Sequence, residues 1–154
     1  DDVRSEDGIW YFDINNEGET KSLKTEAAKR KVPIHPDLIE YGFLEFYKEA
    51  LGKRKQDERL LDGLTYNEIS KWGRKLDRWF NDQFLKDVGL KTKLKSFHSL
   101  RHTVITKLSK GEVPLPIIQN LVGHEPNTVT TSVYTHGYTL QQLQDGINKL
   151  KYPI

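Results

Sequence analysis

Hydrophobic and polar positions divide the chain into a short alternating start and a longer run with helical spacing. Residues 9–14, Ile-Trp-Tyr-Phe-Asp-Ile, are apolar and β-prone, and Asn15, Asn16 and Gly18 mark a turn after them. Val32-Pro33-Ile34 ends a second extended run before His35-Pro36. The pattern predicts a small antiparallel sheet of residues 9–14, 20–25 and 30–34, preceded by an acidic loop, DDVRSED. Glu26, Ala27, Ala28 and Lys29 are weak strand formers, so the hairpin's middle is its least strand-like part.

From Asp37 onward the spacing turns helical. Asp37 is the predicted N-cap of a helix whose apolar positions are Leu38, Ile39, Tyr41, Leu44 and Tyr47. Residues 52–59, GKRKQDER, read as a polar loop. Thr65 and Glu68 have capping-box spacing and predict a long helix to about Val88. Its buried side would carry Ile69, Trp72, Leu76, Trp79, Phe80 and Leu85. Gly73 weakens that helix by roughly 1 kcal/mol relative to Ala, and Gly89 ends it. A helix over about His98–Lys110 follows, with Leu100, Val104 and Leu108 as its stripe and Gly111 as its stop. Pro114–Leu121 reads as a short helix closed by a turn at Val122-Gly123-His124. Asn127 or Thr128 caps another short helix through Tyr134, and Thr139 caps a last one over residues 140–150. Leu140, Leu143, Ile147 and Leu150 form the final stripe. The fold class is α+β and mainly α: a small antiparallel three-stranded sheet at the N-terminus followed by a helical bundle.

Composition narrows the function classes. The 154 residues have the length of one domain, and no apolar run reaches the roughly 20 residues a membrane span needs. Cysteine is absent, which excludes disulfides, thiolate metal sites and cysteine nucleophiles. Methionine is absent too, which predicts an internal piece of a longer protein. The net charge of +2 hides a segregated distribution. Residues 1–20 carry seven acids and one base; residues 21–31 carry five bases and one acid; residues 86–110 carry seven bases and one acid. The two basic blocks predict a surface that faces a polyanion.

The candidate chemistry is concentrated between Lys95 and Tyr138, which holds four of the five histidines. His98 and Arg101 are three apart on a predicted helix and project from neighbouring faces. A guanidinium fork suits two non-bridging phosphate oxygens, and an imidazole can donate to the same phosphate or move a proton near neutral pH. His102 lies one turn beyond His98, a spacing that also allows a metal pair. No carboxylate follows in the HExxH manner, so no metal site is assigned and His102 reads as a packed or hydrogen-bonded helix residue. Gly123 places His124 at a turn. Tyr134 stands ten residues on; its phenol, with a pKa near 10, is about one part in a thousand ionised at pH 7. As a nucleophile it needs a base and a polarised electrophile, which His98, Arg101 and His124 could supply.

His98-Ser99-Leu100-Arg101-His102, then Leu121-Val122-Gly123-His124, then Tyr134-Thr135-His136 resemble, in order and spacing, the motifs of the tyrosine recombinases, the phage integrase family. Lys24-Thr25 followed by Arg30-Lys31-Val32-Pro33-Ile34 resembles the family's lysine-bearing β-hairpin. The resemblance implies a site-specific DNA recombinase that cleaves and rejoins strands through a 3′-phosphotyrosine. It matches Tyr134 to the nucleophile, Arg101 to the second arginine of the phosphate clamp and His98 to a proton acceptor. It matches His124 to a donor on the scissile phosphate and Lys24 to the general acid; Lys24 is chosen over Lys21 and Lys29 on the Lys-Thr spacing. No cofactor is implied. The implied partners are double-stranded DNA and other protomers in a tetrameric synapse, the chain alone being a monomer, with no membrane; the resemblance implies that the stripe of the last helix docks on a neighbouring protomer, the alternative being packing in cis. The implied setting is the bacterial cytoplasm, with a prophage or mobile element as the source. Residues 1–154 would be the C-terminal catalytic domain, without its first helices, its first clamp arginine or the N-terminal DNA-clamping domain, and inactive alone. Two rivals share parts of the pattern: a type IB topoisomerase and a non-catalytic DNA-binding module.

Overall fold

The structure, a computed structural model, describes residues 2–17, 21, 23, 28–53, 60, 61, 63–66, 68, 69, 72–124 and 137–152. They form two compact units, one of Asp1–Tyr41 with Val104–Ile154 and the other of Gly42–Thr103.

The first unit is built on a three-stranded antiparallel sheet in the order β1-β2-β3, with β1 Val3–Glu6, β2 Ile9–Ile14 and β3 Arg30–Pro33. The acidic start is therefore a strand and not a loop. Asp7 (φ 51°) and Gly8 (φ 80°) make a two-residue turn that pairs Glu6 with Ile9 and Val3 with Phe12. Asp-Gly is a favoured hairpin turn; the density of carboxylates around it obscured it. Residues 21 and 23 are not in a strand, and the rest of the predicted strand 20–25 lies outside the described residues. β3 instead pairs directly with β2, Ile14 opposite Arg30 and Tyr11 opposite Pro33.

The segregated charges pair with one another. Arg4 bridges Asp13 and Glu17, each at 2.9 Å, Lys31 meets Glu6 at 2.5 Å, and Lys21 bonds Asp2. Glu6 holds the Lys31 ammonium above its ordinary pKa, and the same ammonium lies 4.9 Å from the centre of the Tyr11 ring. Within the first basic block, Lys21 and Lys31 are thus paired with acids of the chain's first residues. Each exposed pair contributes little stability; two of them cross between strands, Arg4 with Asp13 and Lys31 with Glu6.

Helix α1, Pro36–Glu40, is capped by His35, whose Nδ1 accepts from the Asp37 amide at 3.1 Å; Asp37 lies inside the helix and is not its cap. The Nε2 of His35 donates to the Leu150 carbonyl at 3.1 Å. One imidazole thereby ties the start of α1 to the C-terminal segment. Lys107 secures that segment too, bonding the Lys151 carbonyl at 2.6 Å and lying over the Tyr152 ring.

Three helical pieces close the core of this unit: the latter part of α5 (Ser99–Lys110), α6 (Leu115–Val122) and α7 (Leu140–Ile147). Thr139 caps α7 with a full capping box: its hydroxyl accepts from the Gln142 amide at 3.2 Å and its amide donates to the Gln142 side chain at 2.9 Å. Leu108, Val113, Ile118, Leu121, Leu143, Ile147 and Leu150 form one buried cluster. The stripe of the last helix is thus packed in cis. Gly146 permits the close approach, since a Cβ there would sit 3.1 Å from Ile117 Cγ2. α7 packs on β3 and β2, and α6 on β3. Leu108 is completely buried. Leu108→Ala should lower unfolding free energy by about 2–5 kcal/mol, read from urea melts.

The second unit contains α2 (Phe43–Lys53), α3 (Arg74–Trp79), a π-helical turn at Phe80–Phe84 and α4 (Leu85–Asp87). The predicted first long helix is interrupted: Gly42 (φ 86°) separates α1 from α2. The second is shorter than its periodicity suggested. α3 begins only after Gly73, Thr65 is outside any helix and Ile69 is 92% exposed. The Thr65–Glu68 spacing fits a capping box without forming one. The glycine that was expected merely to weaken the helix sits at its start.

Candidate functional site

His98 and Arg101 belong to the second unit, on the entry into α5. The first turn is tightly wound: the amides of Ser99, Leu100 and Arg101 donate to the carbonyls of Ser96, Phe97 and His98 at 2.9, 3.2 and 3.1 Å. These three-residue bonds satisfy amides that a regular α-helix leaves open at its start. The Ser99 hydroxyl accepts from the Ser96 amide at 3.0 Å and stabilises the same turn. His98 is exposed, Arg101 is half-buried, and the His98 and His102 rings meet edge to face at 5.2 Å. His102, expected to be packed or hydrogen-bonded, is exposed, and its ring meets that of His98.

The loop before α5 is held by the π-helical turn. Asn81 Oδ1 accepts from the Phe97 amide at 2.9 Å, and the Phe80 ring meets Phe97 edge-on at 5.1 Å. Lys91 bonds the Asn81 carbonyl and lies 3.5 Å from Asp82. A π turn widens the helix by one residue and so aims Asn81 where a continuous α-helix would not. Sequence reading missed Asn81, because no local spacing marks an acceptor for an amide 16 residues away. Asn81→Ala should cost about 0.5–1.5 kcal/mol, while Asn81→Asp, which keeps the acceptor, should retain most of the stability in the same urea titration.

His124 belongs to the first unit. Gly123 (φ 67°, ψ 48°) ends α6 in the left-handed conformation. Its amide donates to the Asn120 carbonyl at 3.1 Å and the His124 amide to the Gln119 carbonyl at 2.9 Å. This is the Schellman pattern, which fixes the backbone of the residue after the glycine. Arg30 completes the cap, donating through Nε to the Leu121 carbonyl at 3.2 Å and through Nη1 to the Ala28 carbonyl at 2.8 Å. The His124 side chain itself is exposed at the end of this braced turn.

Two of the candidate residues, Tyr134 and Lys24, lie outside the described residues, as do the expected short helix after Asn127 and His136. Of the competing lysines, Lys21 is engaged by Asp2 and by Asn15 Oδ1 at 3.2 Å. In the second basic block Lys86, Lys93, Lys95 and Lys110 are exposed. No helix among the described residues is long and apolar enough to cross a membrane.

Comparison with known proteins is informative along nearly the whole chain. The model of the phage integrase family matches residues 1–140. A protein of Caldanaerobacter subterraneus subsp. tengcongensis described as "Tyrosine recombinase XerC-like" is 32% identical over 124 residues, 73% of this chain and 30% of the relative. A "Tyrosine recombinase XerC" of Halalkalibacterium halodurans is 44% identical over 63 residues, 41% of this chain and 20% of the relative. A "Tyrosine recombinase XerD" of Staphylococcus aureus is 29% identical over 113 residues, 70% of this chain and 36% of the relative. The matches thus take in about a third or less of each relative's own length. No solved structure matches at a comparable level of significance.

Proposed function

The chain belongs to the phage integrase family, and from that membership we propose that it carries the nucleophile side of an active site for site-specific DNA strand cleavage and rejoining. The observation that carries the reading is the ordered set His98–Arg101, Gly123–His124 and Tyr134 inside the region the family model matches. In support, the described members of the set sit on backbone that is tightly bonded before any ligand arrives. Preorganised donors are what transition-state stabilisation requires.

In the proposed reaction the Tyr134 oxygen attacks the scissile phosphorus and gives its proton to His98. The bond from phosphorus to the 5′-oxygen breaks as Lys24 protonates that oxygen, leaving a free 5′-hydroxyl and a 3′-phosphotyrosine. Arg101 and His124 donate to the non-bridging oxygens, where negative charge grows. The Lys21 ammonium is already engaged by Asp2 and Asn15, which favours Lys24 over Lys21 as the acid. The new linkage is still a phosphodiester, so rejoining to a different 5′-hydroxyl needs no ATP. The side chains supply the positive charge, so the proposed step calls for no metal or organic cofactor. The exposed lysines of residues 86–110 are proposed to track the duplex phosphates, which position the protein without reading sequence. Integration of a phage or other mobile element, assembly of protomers into a tetramer on DNA and work in the bacterial cytoplasm belong to this same proposal. So does the placement of residues 1–154 in a C-terminal catalytic domain.

The test is polarity of attack. The full-length protein is mixed with a nicked half-site duplex labelled on either side of the scissile phosphate. Label on the 5′ side should travel with the protein, and the released strand should accept phosphate from a polynucleotide kinase. A 5′-linked adduct would contradict the mechanism. Salt-sensitive DNA binding with no adduct would leave a non-catalytic DNA-binding module.

A further inference from the structure

Arg30 stands at the start of β3, yet its guanidinium serves a turn 91 residues away. A Cβ added to Gly123 would lie 2.7 Å from Arg30 Nη1 and 2.8 Å from Cζ. The guanidinium is therefore laid directly against the Gly123 α-carbon. Glycine is required there twice, for its left-handed backbone and for this close approach. The Gln119 and Asn120 carbonyls are taken by the turn's own amides, and the Leu121 carbonyl by Arg30 Nε. The second bond, from Nη1 to the Ala28 carbonyl, anchors the chain entering β3 to the same cation. Sheet and helix end are thus joined at the residue before His124.

We infer that Arg30 is a positioning residue for His124, bracing the Gly123 turn so that the imidazole meets the scissile phosphate. The inference rests on the proposed reading of His124 as a phosphate donor. A helix end already capped by its own amides would stay folded without a third bond. What the guanidinium adds is a contact on the one residue whose dihedral angles aim His124. Lysine keeps the charge but lacks the planar fork that reaches two carbonyls while lying against a Cα.

The test is a double-mutant cycle in the full-length protein: wild type, Arg30→Lys, His124→Ala and the double variant. Single-turnover cleavage of the nicked half-site duplex is followed at saturating DNA. Arg30→Lys should slow cleavage about 10- to 100-fold, the scale of an ångström-level misplacement, with DNA affinity within about threefold of wild type. The double variant should be no more than about threefold slower than His124→Ala alone, because the two act through one group. Multiplied losses, or a wild-type rate for Arg30→Lys, would overturn the inference. So would reduced burst amplitude at an unchanged rate constant, the mark of a fold-only role. A wild-type rate for His124→Ala would instead overturn the reading of His124, and the inference with it.

Discussion

Tyr134→Phe in the full-length protein is expected to abolish the covalent protein–DNA adduct while leaving DNA affinity within about twofold. The substitution removes one oxygen and nothing else. That oxygen is the proposed nucleophile, and loss of a nucleophile costs on the order of 10⁴-fold or more in comparable covalent catalysis. Binding rests on a different set of groups, the cations that displace counterions from the phosphates. The affinity and its salt slope should therefore persist. A half-site duplex with a nick near the cleavage point, denaturing gels for the adduct and a salt titration for binding measure both halves together.

Arg101→Ala is expected to slow single-turnover cleavage by about 10²–10³-fold, the usual cost of removing one preorganised donor from an oxyanion site. Arg101 is half-buried on the tight first turn of α5, with its backbone amide bonded to the His98 carbonyl at 3.1 Å. Placement is thus fixed by the helix entry, and the side chain supplies the fork. Arg101→Lys should recover only a small part of the loss, because an ammonium cannot present two parallel donors to one phosphate. A cleavage rate within threefold of wild type for Arg101→Ala would remove Arg101 from the phosphate clamp.

Much of this arrangement was legible because its cues are local. Thr139 with Gln142 forms the predicted cap, Gly123 ends α6, Gly111 follows the end of α5, and the spacing of Leu143, Ile147 and Leu150 marks the buried face. The helix carrying His98 and Arg101 was misplaced by a single residue at its start. What escaped depends on partners far along the chain. Val3–Glu6 reads as part of an acidic loop until its Arg4 is seen to meet Asp13, and its Glu6 to meet Lys31, across the sheet. Thr65 and Glu68 have the spacing of a cap, but the helix starts at Arg74, after Gly73. Asn81 and Arg30 brace the two described parts of the candidate site through single long-range bonds, which no periodicity encodes. The chemistry-bearing residue types announced themselves in sequence; the residues that hold them in place did not.

The most direct measurement is the site of attachment. The adduct trapped on a nicked half-site duplex is digested with nuclease and protease, and the modified peptide is fragmented by mass spectrometry. The nucleotide should sit on Tyr134 through a phosphodiester to its phenol, and on no other residue. Attachment at Tyr138, Tyr152 or any other side chain, or an active full-length protein that yields no attached nucleotide at all, would contradict the account.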